Sequence, residues 1–266
     1  MSDFVYSALN GLAFVAGAIA IVLGSYFLAR RLLHSGHEGD RTHEAAGSVA
    51  VRVAALHGLI IGLVYAQELD DYKGVRSVLT EEAVAISDVY NDARRYGGEI
   101  TLPVQAGLAT YLATVVTEEW PMLGRKEGLS PAAWKQWEGV YDRLLNLTPA
   151  TDRERFLSGK MRDRISAVAR LRQMREATAA GRFTGVFWAP AVIGLALVSA
   201  PFYIYRPSKT HLILLSMFGA YSGIILFFIF AFANPFEAPG KLQPVPFEQL
   251  LKGEIGKSLP SGVTLP

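Results

Sequence analysis

Charge is distributed along this chain in blocks too long for a soluble fold. With histidine counted as neutral, Phe4–Ala29 (26 residues), Val53–Gln67 (15), Phe183–Tyr205 (23) and Thr210–Phe236 (27) carry no formal charge. A helix that crosses a bilayer needs roughly 20 mostly apolar residues. Three runs meet that length outright. The second meets it as Ala45–Gln67, which holds one charge, Arg52, at a place where a long side chain can reach an interface. The pattern predicts an all-α membrane protein with four transmembrane helices, arranged as two hairpins that flank a water-exposed helical bundle. The expected divisions are 1–68 for the first hairpin, 69–182 for the bundle, 183–233 for the second hairpin and 234–266 for a Pro-rich tail.

The first run is read as a retained helix and not a signal peptide. Met1-Ser2-Asp3 is not a basic leader, and the apolar stretch is about twice the usual signal length. Gly11, Gly17 and Gly24 on it are candidates for close helix approach. Pro190 predicts a kink in the third span, which neighbouring helices can tolerate in lipid. Trp188, Tyr203 and Tyr205 fall near its ends, as interfacial aromatics do.

Between the hairpins the period becomes that of amphipathic helices. Leu79, Ile86, Val89, Tyr90, Ala93 and Tyr96 share a face, and Gly97-Gly98 stops that helix. Thr101 with Pro103 is expected to cap the next, which carries Val104, Leu108, Tyr111, Leu112 and Val115 and ends at Glu118-Glu119-Trp120-Pro121. Ser130-Pro131 opens a third, with Trp134, Trp137, Tyr141 and Leu144; these aromatics are read as packing. Thr151-Asp152-Arg153-Glu154 fits a capping box ahead of a long helix through Leu157, Met161, Ile165, Val168 and Leu171.

Composition narrows the function. Hydrophobic residues make up 51% of the chain and charged ones 19%, against roughly 25% charged in a typical globular protein. The net charge of +2, from 26 basic and 24 acidic residues, gives no concentrated basic face for nucleic acid. Absence of cysteine removes disulfides, thiol nucleophiles and thiolate metal sites. No phosphate-binding loop, HExxH or GxSxG occurs, so neither an enzyme nor a cofactor is expected. His34 and His37, three apart in the first loop, could chelate a metal, but exposed loop histidines rarely do, and no metal site is assigned.

The candidate chemistry lies around the second span. His57, Ile61, Val64 and Glu68 recur at helical spacing, placing polar groups at either end of an apolar collar, as a dewetting gate requires; His57 could equally donate to a neighbouring helix. From Glu68 to Asp92, Glu68, Asp70, Asp71, Glu81, Glu82, Asp88 and Asp92 outweigh Lys73 and Arg76, a local charge of −5. One reading is a solvated helix face; the other is an acidic vestibule, formed chiefly by Asp70, Asp71, Glu81 and Glu82, that concentrates cations and becomes a ring in an oligomer.

Gln-Glu-Leu-Asp-Asp-Tyr (67–72), Glu-Glu-Ala-Val-Ala-Ile-Ser-Asp-Val-Tyr-Asn-Asp-Ala (81–93), Glu-Glu-Trp-Pro (118–121) and Asn-Pro-Phe (234–236), set among two hairpins and a helical insert, resemble the bestrophin-like domain family of bacterial membrane proteins. That family is distantly similar to bestrophins, pentameric anion channels whose second helix lines an apolar neck. The resemblance implies a homo-oligomeric channel in the bacterial inner membrane, a pentamer, passing small inorganic ions. It puts the constriction near 59–64, here aliphatic; together with the face read from helical spacing, the expected pore lining is His57, Leu59, Ile60, Ile61, Val64 and Glu68. It implies anions, whereas the acidic junction favours cations. It also places the helical region in the cytosol, whereas the basic first loop favours the opposite side, so sidedness stays open. The alternative function is a non-catalytic accessory or scaffold subunit of a membrane complex.

Overall fold

The computed structural model describes residues 3–33, 40–179 and 188–261, and every regular element among them is helical. Two compact units divide the chain.

The first unit comprises Met1–Asp71, Arg182–Ala233 and Ala238–Gly240. It contains α1 (Asp3–Leu33), the first part of α2 (Asp40–Tyr96), α7 (Trp188–Ser199), a 3₁₀ segment (Ala200–Ile204) and α8 (Lys209–Phe232). Helix α1 packs along α8 at Gly219 and Gly223, four residues apart on α8. A Cβ on Gly219 would stand 2.9 Å from Ile19 Cα, and one on Gly223 2.7 Å from Val15 Cα, the small-residue contact that lets helices approach in lipid. Of the glycines expected to do this on α1, Gly17 and Gly24 have nothing within 4 Å, and Gly11 meets only the Phe227 ring. The connection into α8 is pinned from α1. Tyr26 Oη donates to Tyr205 O at 2.8 Å, and Arg30 Nη1 donates to Tyr203 O and Tyr205 O at 3.1 and 3.0 Å. Ser208 then caps α8 by accepting from the His211 N–H at 3.2 Å.

The second unit comprises Tyr72–Gly181, Asn234–Glu237 and Lys241–Pro266. It is built from the remainder of α2, α3 (Thr101–Thr114), a π-turn (Val115–Glu119), α4 (Trp120–Gly124), α5 (Pro131–Leu145), α6 (Asp152–Ala179) and α9 (Val245–Lys252). The periodic positions read from the sequence form its core. Leu79, Ile86, Val89, Leu108, Tyr111, Leu112, Leu144, Met161, Ile165 and Val168 are all buried. The capping box forms: the Glu154 N–H donates to Thr151 Oγ1 and the Thr151 N–H to Glu154 Oε2, each at 3.2 Å.

Several local expectations change. The second span and the helix after it are one 57-residue helix, α2, because no proline or glycine pair interrupts the chain before Gly97 (φ 80°) and Gly98 (φ 71°). Thr101 does not cap α3; its Oγ1 donates back to Ala93 O at 3.1 Å and ties down the end of α2. Helix α3 does not stop at Glu118–Pro121 but continues through the π-turn into α4. Pro121 has no N–H to give the preceding turn, and the wider turn accommodates its ring. The tail is not a separate segment: Phe236, Leu242, Phe247, Leu251 and Ile255 lie in the core of the second unit. Trp120 Nε1 donates to Leu242 O at 3.1 Å, and Tyr90 Oη to Glu254 O at 3.1 Å.

Among the described residues, four helices are long and apolar enough to cross a membrane: Asp3–Leu33, His43–Tyr96, Gly98–Gly124 and Lys209–Phe232. In Gly98–Gly124, 44% of the apolar window is buried within the structure, against 17–33% in the other three. Of the predicted third span, 183–205, the described part is the apolar helical stretch Trp188–Ile204. Residues 180–187, on which the expected kink at Pro190 depends, lie outside the described residues, as do His34 and His37.

Candidate functional site

Within the first unit α2 has two unlike sides. Ala50, His57, Ile61 and Glu68 are buried, and Val64 packs against the same core as Ile61, Ala191, Leu195 and Leu226. His57 lies flat on α7 at Gly194, where a Cβ would overlap its ring. Leu56, Leu59, Ile60 and Leu63 occupy the other side and are 50–63% exposed. The expected pore residues are therefore divided. Leu59 and Ile60 face outward, while His57, Ile61 and Val64 pack within the first unit and Glu68 is buried.

The acidic residues are divided in a similar way. In the first unit Asp70 is exposed and Asp71 half-buried, accepting from Gln67 Nε2 at 3.2 Å. In the second, Glu81 is exposed and accepts from Ser77 Oγ at 3.2 Å. Glu82 is fully buried, which removes it from any solvent-facing vestibule. Basic residues of α6 pair with the acids of α2. Arg164 Nε lies 3.1 Å from Asp88, Lys160 Nζ 2.9 Å from Asp92, and Arg175 Nε 2.8 Å from Glu82. Three of the seven acids behind the local −5 are thus balanced by one helix.

The interior of the second unit holds a chain of alternating charges. Glu82 accepts from Tyr111 Oη at 2.7 Å and from Arg175 Nε and Nη2; Arg175 Nη2 also donates to Glu119 at 3.0 Å; and Arg172 pairs with Glu119. All four charged side chains are fully buried. The π-turn presents Glu119, whose Oε2 accepts from the Ser130 N–H at 2.9 Å, while Ser130 O accepts from Arg172 Nη2 at 2.8 Å. The Arg172 guanidinium also lies 4.7 Å from the Trp134 ring centre, a cation–π contact. Burial pushes the Arg175 guanidinium towards losing its proton, but Glu82, Tyr111 and Glu119 outweigh it and hold its pKa above the ordinary value. Two arginines against two glutamates make the cluster neutral. Sequence reasoning missed this network; the only signal was two arginines three apart on an otherwise apolar helix face.

Among the described residues no three His, Asp or Glu side chains gather as a metal site. The bestrophin-like domain matches residues 16–247. The chain belongs to the bestrophin-like family. Two solved mutant forms of a bacterial bestrophin homologue from Klebsiella pneumoniae share its fold. They are 12% and 13% identical, with TM-scores of 0.64 and 0.63, covering 94% and 92% of this chain and 98% of that one. No curated protein matches the chain. Family and apolar helices together make this bestrophin-like chain an integral membrane protein.

Proposed function

We propose that this bestrophin-like chain assembles as a homo-oligomer, a pentamer as the family resemblance implies, around a path for small ions in the bacterial inner membrane. Leu56, Leu59, Ile60 and Leu63 line or flank that path. The observation that carries this reading is the outward side of α2, four large aliphatic side chains at i, i+3, i+4 and i+7 left uncovered by their own unit. An aliphatic constriction repeated by symmetry gates by excluding water. His57 and Ile61 brace the lining helix from behind by packing on α7 and its neighbours. Asp70 and Glu81, both exposed, are the acids left to tune ion entry.

The test is ion flux through liposomes containing the purified full chain. Flux is expected, with anions as the family resemblance implies, and Leu59→Ser or Leu63→Ser should raise it severalfold by admitting water to the constriction. The sign of the reversal potential in a salt gradient identifies the ion. Absence of flux at every gradient, pH and calcium level, with a single copy held in a larger membrane complex, would establish the accessory-subunit reading instead.

A further inference from the structure

An apolar cleft of about 260 Å³ opens within the first unit between α2, the 3₁₀ segment after α7 and α8, walled by Ala50, Val51, Ala54, Phe202, His211 and Leu214. Its volume is below the roughly 300–1,000 Å³ of sites that enclose a compact small molecule, which suits a slender chain. Its outer edge continues into side chains with nothing over them, Val51 at 69% and Leu214 at 59% exposure. On helices of membrane-spanning length, acyl chains are the medium that meets such a surface.

The same end of the unit is basic. Lys209 begins α8 two residues before His211, Arg206 lies in the turn that leads to it, and Arg30 is bonded to the carbonyls of Tyr203 and Tyr205 just ahead of that turn. Arg31, exposed, follows Arg30 on α1. Exposed Glu44 is the acid near this end among the described residues whose side chains are placed. One polar atom interrupts the greasy wall: His211 Nε2, buried and with no hydrogen-bond partner among the described residues. A second apolar cleft, about 290 Å³ and lined by Asn10, Phe14, Trp188 and Val192, has no cation among its lining residues.

We propose that the first cleft is a binding site for an anionic phospholipid of the surrounding bilayer. One acyl chain lies along Ala50, Ala54 and Leu214, the ester region reaches His211, and the phosphate sits among Arg206, Lys209 and Arg31. The site rests on the chain being a membrane protein and is independent of conduction. Successive residues turn by 100° along a helix, so Ala50 and Ala54 lie far round α2 from Leu59 and Leu63.

The test titrates dioleoyl phosphatidylglycerol and dioleoyl phosphatidylcholine into delipidated full chain in detergent, reading bound lipid by native mass spectrometry and midpoint by thermal unfolding. Phosphatidylglycerol should remain bound and raise the midpoint more than phosphatidylcholine, and free glycerol phosphate should do neither. Replacing two exposed cations (Arg206→Gln with Lys209→Gln) should weaken phosphatidylglycerol roughly tenfold to thirtyfold and leave phosphatidylcholine unchanged. Ala54→Leu, which narrows the cleft at its floor, should weaken both lipids alike. Equal binding of the two lipids by the native chain overturns the proposal. So does a change of oligomeric state in Ala54→Leu with lipid binding intact, since the cleft then belongs to a second copy.

Discussion

Neutralising Glu119 isolates the buried network as a source of stability. In Glu119→Gln the side chain keeps its shape, but Arg172 and Arg175 lose the carboxylate between them, and Glu82 is left to balance two guanidinium groups. Removing one member of a buried ion pair strands a charge and costs about 3–5 kcal/mol. At roughly 2–4 °C per kcal/mol for a chain of this size, the unfolding midpoint should fall by about 6–20 °C. The assay is thermal unfolding of the detergent-solubilised full chain followed by far-UV ellipticity. The control is Glu127→Gln, which removes a bidentate partner of Arg125 at 2.7–2.8 Å where both side chains are about half exposed. Solvent screens that pair, so little or no shift is expected. A double substitution, Glu119→Leu with Arg172→Met, leaves the neutral Glu82–Arg175 pair and should recover at least half of the loss. If Glu119→Gln behaves like Glu127→Gln, the argument from charge burial is refuted.

Three further outcomes follow from particular contacts. Gly223→Leu, with its Cβ forced against Val15 Cα, should destabilise the first unit by about 1–3 kcal/mol, whereas Gly17→Ala, with open space around it, should be neutral or slightly stabilising; unfolding midpoints of the two variants decide this. Phe247→Ala empties a fully buried position of the tail and should cost about 3–5 kcal/mol, a loss that a loosely attached tail would not produce. The Glu154 carboxyl is held below its ordinary range by the Ala150 and Thr151 N–H groups. A depressed pKa contributes stability above the unfolded value, lost as pH falls through the folded one. The native chain should therefore lose more of its midpoint between about pH 5 and 3 than Glu154→Gln does, and parallel curves would refute the assignment.

The amphipathic half of the chain was largely legible. Leu157, Met161, Ile165, Val168 and Leu171 share one face by spacing and are buried together, because an amphipathic helix turns its apolar stripe to the core. Ser130 and the Thr151–Glu154 box were equally readable, since a cap satisfies backbone N–H groups within its own turn. The α2 stretch in the first unit was not legible in this way. His57, Ile61 and Val64 share a face by spacing, and so do Leu56, Leu59, Ile60 and Leu63. Both faces are apolar, so hydropathy cannot say which meets protein and which is left free.

By itself the sequence determined that the chain is helical, that it carries runs of membrane-spanning length, and that its insert is built largely of amphipathic helices. Local physics suffices for these: backbone hydrogen bonds closed within a helix, the apolar length a bilayer demands, and the period of 3.6 residues. The tertiary structure alone decided that α6 pairs with Glu82, Asp88 and Asp92 of α2, that Gly219 and Gly223 rather than the glycines of α1 bring α8 close to α1, that the tail completes the second core, and that His57 is buried against Gly194 of α7. Each of these depends on residues far apart in the chain meeting at particular distances. Composition and spacing define a face, and packing determines what that face touches.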